Sequence, residues 1–290
     1  MQALFLPGEP GPRFALYHPP DPAGPVRGAV LYLPPFAEEL NRARRQVAEQ
    51  ARAFARAGFG VLLLDPYGCG DSAGRFEDAT WTHWLDDAVA AHRWLVARQP
   101  GPVWLWGLRT GCLLAAGVLG RLDAQARAMD EAGVAMAGLL CWQPVFSGRL
   151  YLKQFLRFQL AADLLRGQTG ATTEALRAQL AAGDALELAG YLLTPALADG
   201  LEQAELALPT PAAAAPAPRV HCFELGTAEA VSPALATQLG HWRAQGWRAQ
   251  GRVVAGAAFW QSLDAPGNPA LVEAGVAALA GAADVSAEAA

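Results

Sequence analysis

Gly107-Leu-Arg109-Thr-Gly111 has the spacing of a catalytic turn with an arginine at its centre. A short apolar run, Pro102-Val-Trp-Leu-Trp106, precedes it, and small apolar residues, Cys112-Leu-Leu-Ala-Ala116, follow. That order predicts a strand, a sharp turn and a buried helix. Such a turn holds its central residue at strained backbone angles, with glycines where the helix packs close behind. A serine there would be a nucleophile. Arg109 cannot attack a carbonyl, because a guanidinium stays protonated. Its chemistry is that of a fork for carboxylates and other ionic ligands.

Other nucleophiles are sparse. Cys69 and Ser72 lie in the glycine-rich stretch Pro66-Tyr-Gly-Cys-Gly-Asp-Ser-Ala-Gly74, and Cys112 is three residues past Arg109. A reactive cysteine needs a neighbour that lowers its pKa. The sequence indicates none, so buried free thiols are expected, with the Ser72 hydroxyl tied into its turn. His92 shares a helical stripe with Trp81, Leu85, Ala88 and Leu95 and reads as a hydrogen-bonded core histidine, whereas His83 stands where it could face a site. The cysteines are widely separated with no C-x-x-C pair, which suggests neither a disulfide framework nor a zinc site. No metal or cofactor is expected.

The 290 residues carry a formal charge of −5, which argues against a nucleic-acid partner, since phosphate contacts need a basic face. No apolar run reaches the length of a membrane span, and the first residues lack the basic start of a signal peptide. The expected compartment is the cytoplasm.

The elements that must position Arg109 alternate in type. Residues 2–5 and 13–17 read as a hairpin. Gly28–Leu33 and Val61–Asp65 are strands around a helix whose stripe is Leu40, Val47, Ala51 and Phe54, which makes a βαβ unit. A helix from Trp81, the turn strand, its helix and the strand Ala137–Trp142 continue the rhythm, so the sheet is expected to be mostly parallel. Residues 148–218 interrupt it with helical pieces and a Pro/Ala-rich return, Pro209 to Pro218. They read as a lid inserted into a core of residues 1–147 and 219–282. Strands at Val220–Leu225 and Ala249–Ala255 and a helix from Pro269 to Leu279 complete that core, and 283–290 is a small polar tail.

Three motifs in this order resemble the α/β-hydrolase superfamily: the turn around Arg109, Asp65-x-x-Gly68-x-Gly70-x-Ser72-x-Gly74, and Gly226-x-x-Glu229-x-Val231-x-Pro233. More narrowly, Leu33-Pro-Pro-Phe-Ala-Glu-Glu-Leu-Asn41, Trp106-Gly-Leu-Arg109 and Trp142-Gln-Pro-Val145 are similar to the proteins called exosortase A system-associated hydrolase 2. The first resemblance implies an α/β-hydrolase fold with an eight-stranded, mostly parallel sheet. It also implies a small acyl, ester, thioester or saccharide-linked ligand in a cleft under the lid. The second implies partners in a bacterial system linking protein sorting to exopolysaccharide production.

By position, Arg109 takes the place of the nucleophile, Glu229 that of the acid and Phe259 that of the histidine base, so a serine mechanism is not expected. The amides of Phe36 and Thr110 occupy the oxyanion-hole positions. Glu38 and Glu39 lie in the loop beside the elbow. They read equally as part of a charged ligand site, or as an ion pair with Arg109 or caps of the following helix. A guanidinium on the floor of a cleft must meet an acid, and Glu39 or Glu38 is expected before Glu229. Losing that pair would cost roughly 3–5 kcal/mol.

Overall fold

The computed structural model describes residues 1–99, 101–129, 136–165, 172–211 and 217–287. The first half of the chain runs β1 (Gln2–Leu6), β2 (Arg13–His18), β3 (Gly28–Leu33), α1 (Glu38–Arg56), β4 (Phe59–Leu64), α2 (Trp81–Arg98), β5 (Val103–Leu108), α3 (Gly111–Ala128) and β6 (Met136–Trp142). An inserted block follows, with α4 (Gly148–Leu165), α5 (Thr173–Ala182), β7 (Leu186–Leu188), β8 (Tyr191–Leu193) and α6 (Pro195–Gln203). The chain then returns through β9 (Arg219–Leu225), α7 (Pro233–Ala244), β10 (Arg248–Val254) and α8 (Pro269–Ala287).

The main sheet has eight strands in the order β1-β2-β4-β3-β5-β6-β9-β10. The pairs β1/β2 and β2/β4 are antiparallel, and every other neighbouring pair is parallel. Strands β3 and β5 are buried at every residue, which is why their sequences are unbroken apolar runs rather than alternating ones. Helices α1 and α8 cover one face, over Val30, Tyr32, Trp104, Trp106 and Trp142. Helices α2, α3 and α7 cover the other, over Leu31, Leu33, Leu62, Leu105 and Leu139.

The inserted block is stitched at its neck, where Gly148 N–H donates to Ala204 (2.8 Å) and Leu206 N–H to Phe146 (2.9 Å). Tyr151 and Phe155 of α4 set their rings against Phe36 in the loop after β3, at 6.1 and 5.5 Å. The block therefore packs at the carboxyl ends of the parallel strands. A second tie comes from Tyr191, whose hydroxyl donates to Glu38 (3.1 Å) and accepts from Asn41 Nδ2 (3.0 Å), both on α1.

The structure departs from the sequence expectation at two places. The block was expected to be helical throughout, but β7 and β8 form an antiparallel hairpin. Its turn residues, Ala189 and Gly190, both have positive φ (51° and 83°), as a two-residue hairpin turn requires. The last helix was expected to stop at Leu279, with a tail at 283–290. Instead α8 continues to Ala287, because alanine-rich sequence propagates a helix well. The Pro/Ala return falls partly outside the described residues, at 212–216.

Candidate functional site

The strained turn persists with arginine at its centre. Arg109 sits at φ 55°, in the left-handed region that costs a residue with a Cβ about 1–2 kcal/mol. Gly107 and Gly111 allow it: a Cβ on Gly107 would come within 2.6 Å of Cys112 N, and one on Gly111 would strike the Leu33 carbonyl. Arg109 N–H donates to the Trp142 carbonyl (2.9 Å) and its own carbonyl accepts from Cys112 (3.1 Å), which fixes the turn between β6 and α3.

The guanidinium is held from three sides. Its Nε stands 3.5 Å from Glu39 Oε1, with side-chain exposures of 19% and 16%. Its Cζ lies 5.6 Å from the ring centroids of both Tyr151 and Trp260, within cation–π range. Glu39 belongs to the first turn of α1, whose cap, Ala37, makes no side-chain hydrogen bond. Burial raises the Glu39 pKa, and the Arg109 charge opposes that rise. Burial also raises the Tyr151 hydroxyl, helped by the Glu39 charge.

Beside Arg109 the Tyr151 hydroxyl faces the Glu39 carboxylate, while buried Trp260 Nε1 has no hydrogen-bond partner among the described residues. The amides of Phe36 and Thr110 likewise donate to no acceptor among those residues, while the Phe36 carbonyl accepts from Glu39 N–H (3.2 Å). The N-terminus of α3 adds a partial positive charge at the same place.

Other residues singled out from the sequence lie apart from this cluster. Glu38 faces the opposite way, toward Arg42 (3.7 Å) and Tyr191. Glu229 is exposed, and among the described residues no hydrogen bond or ion pair holds it. Phe259 follows β10 in a 3₁₀ turn, Phe259–Gln261, but its ring packs inward on Trp142 at 6.0 Å. Trp260, one residue on, is the side chain that meets Arg109. Sequence position alone cannot tell the two apart, because the turn's tightness decides which aromatic faces the sheet edge.

The alternative nucleophiles are occupied or muted. Ser72 Oγ accepts from Phe14 N–H (2.8 Å) and donates to the Asp65 carbonyl. Asp65 in turn binds Arg44 (3.1 Å) and accepts from Asp71 N–H, so the glycine-rich stretch is a structural knot. Burial pushes the Cys69 and Cys112 thiols up in pKa, away from the reactive thiolate. His83 sets its ring edge on Tyr67 at 5.3 Å. His92 is buried but, contrary to the sequence reading, neither ring nitrogen has a partner among the described residues.

A cavity of about 160 Å³ opens between α1 and strands β2, β3 and β4, lined by Leu16, Tyr32, Leu40, Arg44 and Asp65 among others. None of its lining residues belongs to the Arg109 cluster. Among the described residues no group of His, Cys, Asp and Glu could hold a metal, and no helix is long and apolar enough to cross a membrane.

Comparison with known proteins agrees with the topology. The family model for X-Pro dipeptidyl-peptidase (S15 family) matches residues 13–150. Est1E from Butyrivibrio proteoclasticus is 14% identical, with a TM-score of 0.57 over 95% of this chain and 96% of that one. The same protein with bound ferulic acid matches at 16% identity and a TM-score of 0.60, over 94% and 96%. XC6422 from Xanthomonas campestris, described as an a/b serine hydrolase without lid, matches at 17% identity and a TM-score of 0.54, over 98% and 94%. No curated protein matches. The eight-stranded sheet, the elbow and these matches define the chain as an α/β-hydrolase-fold protein.

Proposed function

We propose that this protein binds an acyl-type small molecule at the converted elbow, under the block 148–218 acting as a lid, and does not cleave it by a serine mechanism. The observation that carries the reading is Arg109 itself, kept at φ 55° and paired with Glu39, with the indole of Trp260 beside it. Serine-type attack needs a proton acceptor within about 2.6–3.2 Å of the nucleophile. An indole N–H only donates. The ferulic acid complex of Est1E supports an acyl-type ligand. The motifs shared with exosortase-associated hydrolases support an accessory role in protein sorting and exopolysaccharide production. Co-purification with an export component would favour that setting, and its consistent absence would count against it.

Purified protein is expected to hydrolyse p-nitrophenyl butyrate no faster than an unrelated protein surface. Arg109→Ser is expected to remain inactive, because it restores a hydroxyl without a base. Steady-state assays of both forms check this. Turnover that disappears on substitution of Cys69, Ser72 or Cys112 would reverse the reading.

A further inference from the structure

The groups around Arg109 are unequal in kind. Hydrogen-bond donors dominate: the terminal nitrogens of Arg109, Trp260 Nε1, and the amides of Phe36 and Thr110. Among the described residues no carboxylate engages those terminal nitrogens, since Glu39 meets Arg109 at Nε. Trp260 is 3% exposed, and its Nε1 has no partner among the described residues. A buried indole N–H without a protein partner is a donor open to a ligand. Against these donors, the carboxylate acceptor among the described residues is Glu39, which the Tyr151 hydroxyl already faces.

We propose that this site takes a carboxylate, the head of a small organic acid, on the Arg109 fork and Trp260 Nε1. The inference rests on the binding reading above and adds the charge of the ligand. A planar guanidinium matches two carboxylate oxygens at once, which a neutral ester or amide cannot offer. The ring of Tyr151, stacked on Phe155 at 6.1 Å and edge-on to Phe36, supplies an apolar wall for the rest of the acid. Glu39 does not forbid a second carboxylate. It meets Arg109 at Nε and leaves the terminal nitrogens to the ligand. Arg109 keeps 19% of its side-chain surface accessible, so the fork is reachable.

Titration calorimetry with benzoate, benzamide and methyl benzoate separates charge from shape, because the three share one ring. Benzoate is expected to bind about tenfold more tightly than either neutral probe, as charge-assisted hydrogen bonds to a fork imply. Trp260→Phe should weaken benzoate several-fold while the protein stays folded. The pair Arg109→Gln with Glu39→Gln, which leaves no stranded charge, should abolish the preference, with thermal unfolding as the check on folding. Benzamide or methyl benzoate binding as tightly as benzoate would overturn the carboxylate assignment and leave the binding reading standing. No binding of any probe at millimolar concentration would overturn the assignment as well. Release of benzoate from methyl benzoate would instead overturn the binding reading.

Discussion

Arg109→Ala is expected to destabilise the fold by about 2–3 kcal/mol, chiefly by stranding Glu39. Removing one partner of a fully buried pair costs about 3–5 kcal/mol. This pair is less extreme, since its members keep 19% and 16% side-chain exposure and meet through one 3.5 Å contact, so the lower figure applies. For a chain of this size that corresponds to a melting temperature lower by about 4–12 °C. Adding Glu39→Gln should recover much of the loss, because the stranded charge is gone and contacting residues couple. Differential scanning calorimetry of the single and double variants measures both numbers. A single variant as stable as wild type would show that Glu39 does not depend on Arg109.

Acidification is expected to destabilise the protein through His92. Burial lowers its pKa from 6.5 to about 4, with Arg93 adding to the effect. Below pH 6.5 the unfolded chain binds a proton that the folded chain refuses, so stability rises with pH between about 4 and 6.5 and is lost on going down through that window. At pH 5 the loss from this one group is about 2 kcal/mol relative to pH 8. His92→Leu removes the titration and two orphaned nitrogens together, and should flatten this part of the profile. Urea denaturation at pH 8 and pH 5 tests it. An unchanged difference in the variant would assign the acid sensitivity elsewhere.

The elbow was legible because its glycines sit where neighbouring backbone comes closest, at Gly107 and Gly111, and contact of that kind restricts residue type directly. The apolar strands were legible for a similar reason, being buried on both faces. Which of two adjacent glutamates meets Arg109 was not legible from composition. Successive residues on a helix point about 100° apart, so Glu39 turns to the elbow while Glu38 turns to Arg42 and Tyr191. That Trp260 reaches Arg109 while its neighbour Phe259 packs on Trp142 has the same character, since a 3₁₀ turn sets the direction. The hairpin β7–β8 escaped because three-residue strands are too short to show a period of two. That neither ring nitrogen of His92 finds a partner among the described residues could not be read at all, because periodicity gives the buried face and not what lies opposite each polar atom.

In the proposed function the elbow holds a ligand-binding cation in place of a nucleophile. Intact-mass spectrometry after exposure to a fluorophosphonate probe tests it most directly, because that reagent reports an activated nucleophile whatever the natural substrate is. The expected result is an unmodified protein, for wild type and for Arg109→Ser alike. A stoichiometric adduct on the wild-type protein, mapped to Ser72 or to a residue of the Arg109 cluster, would contradict it.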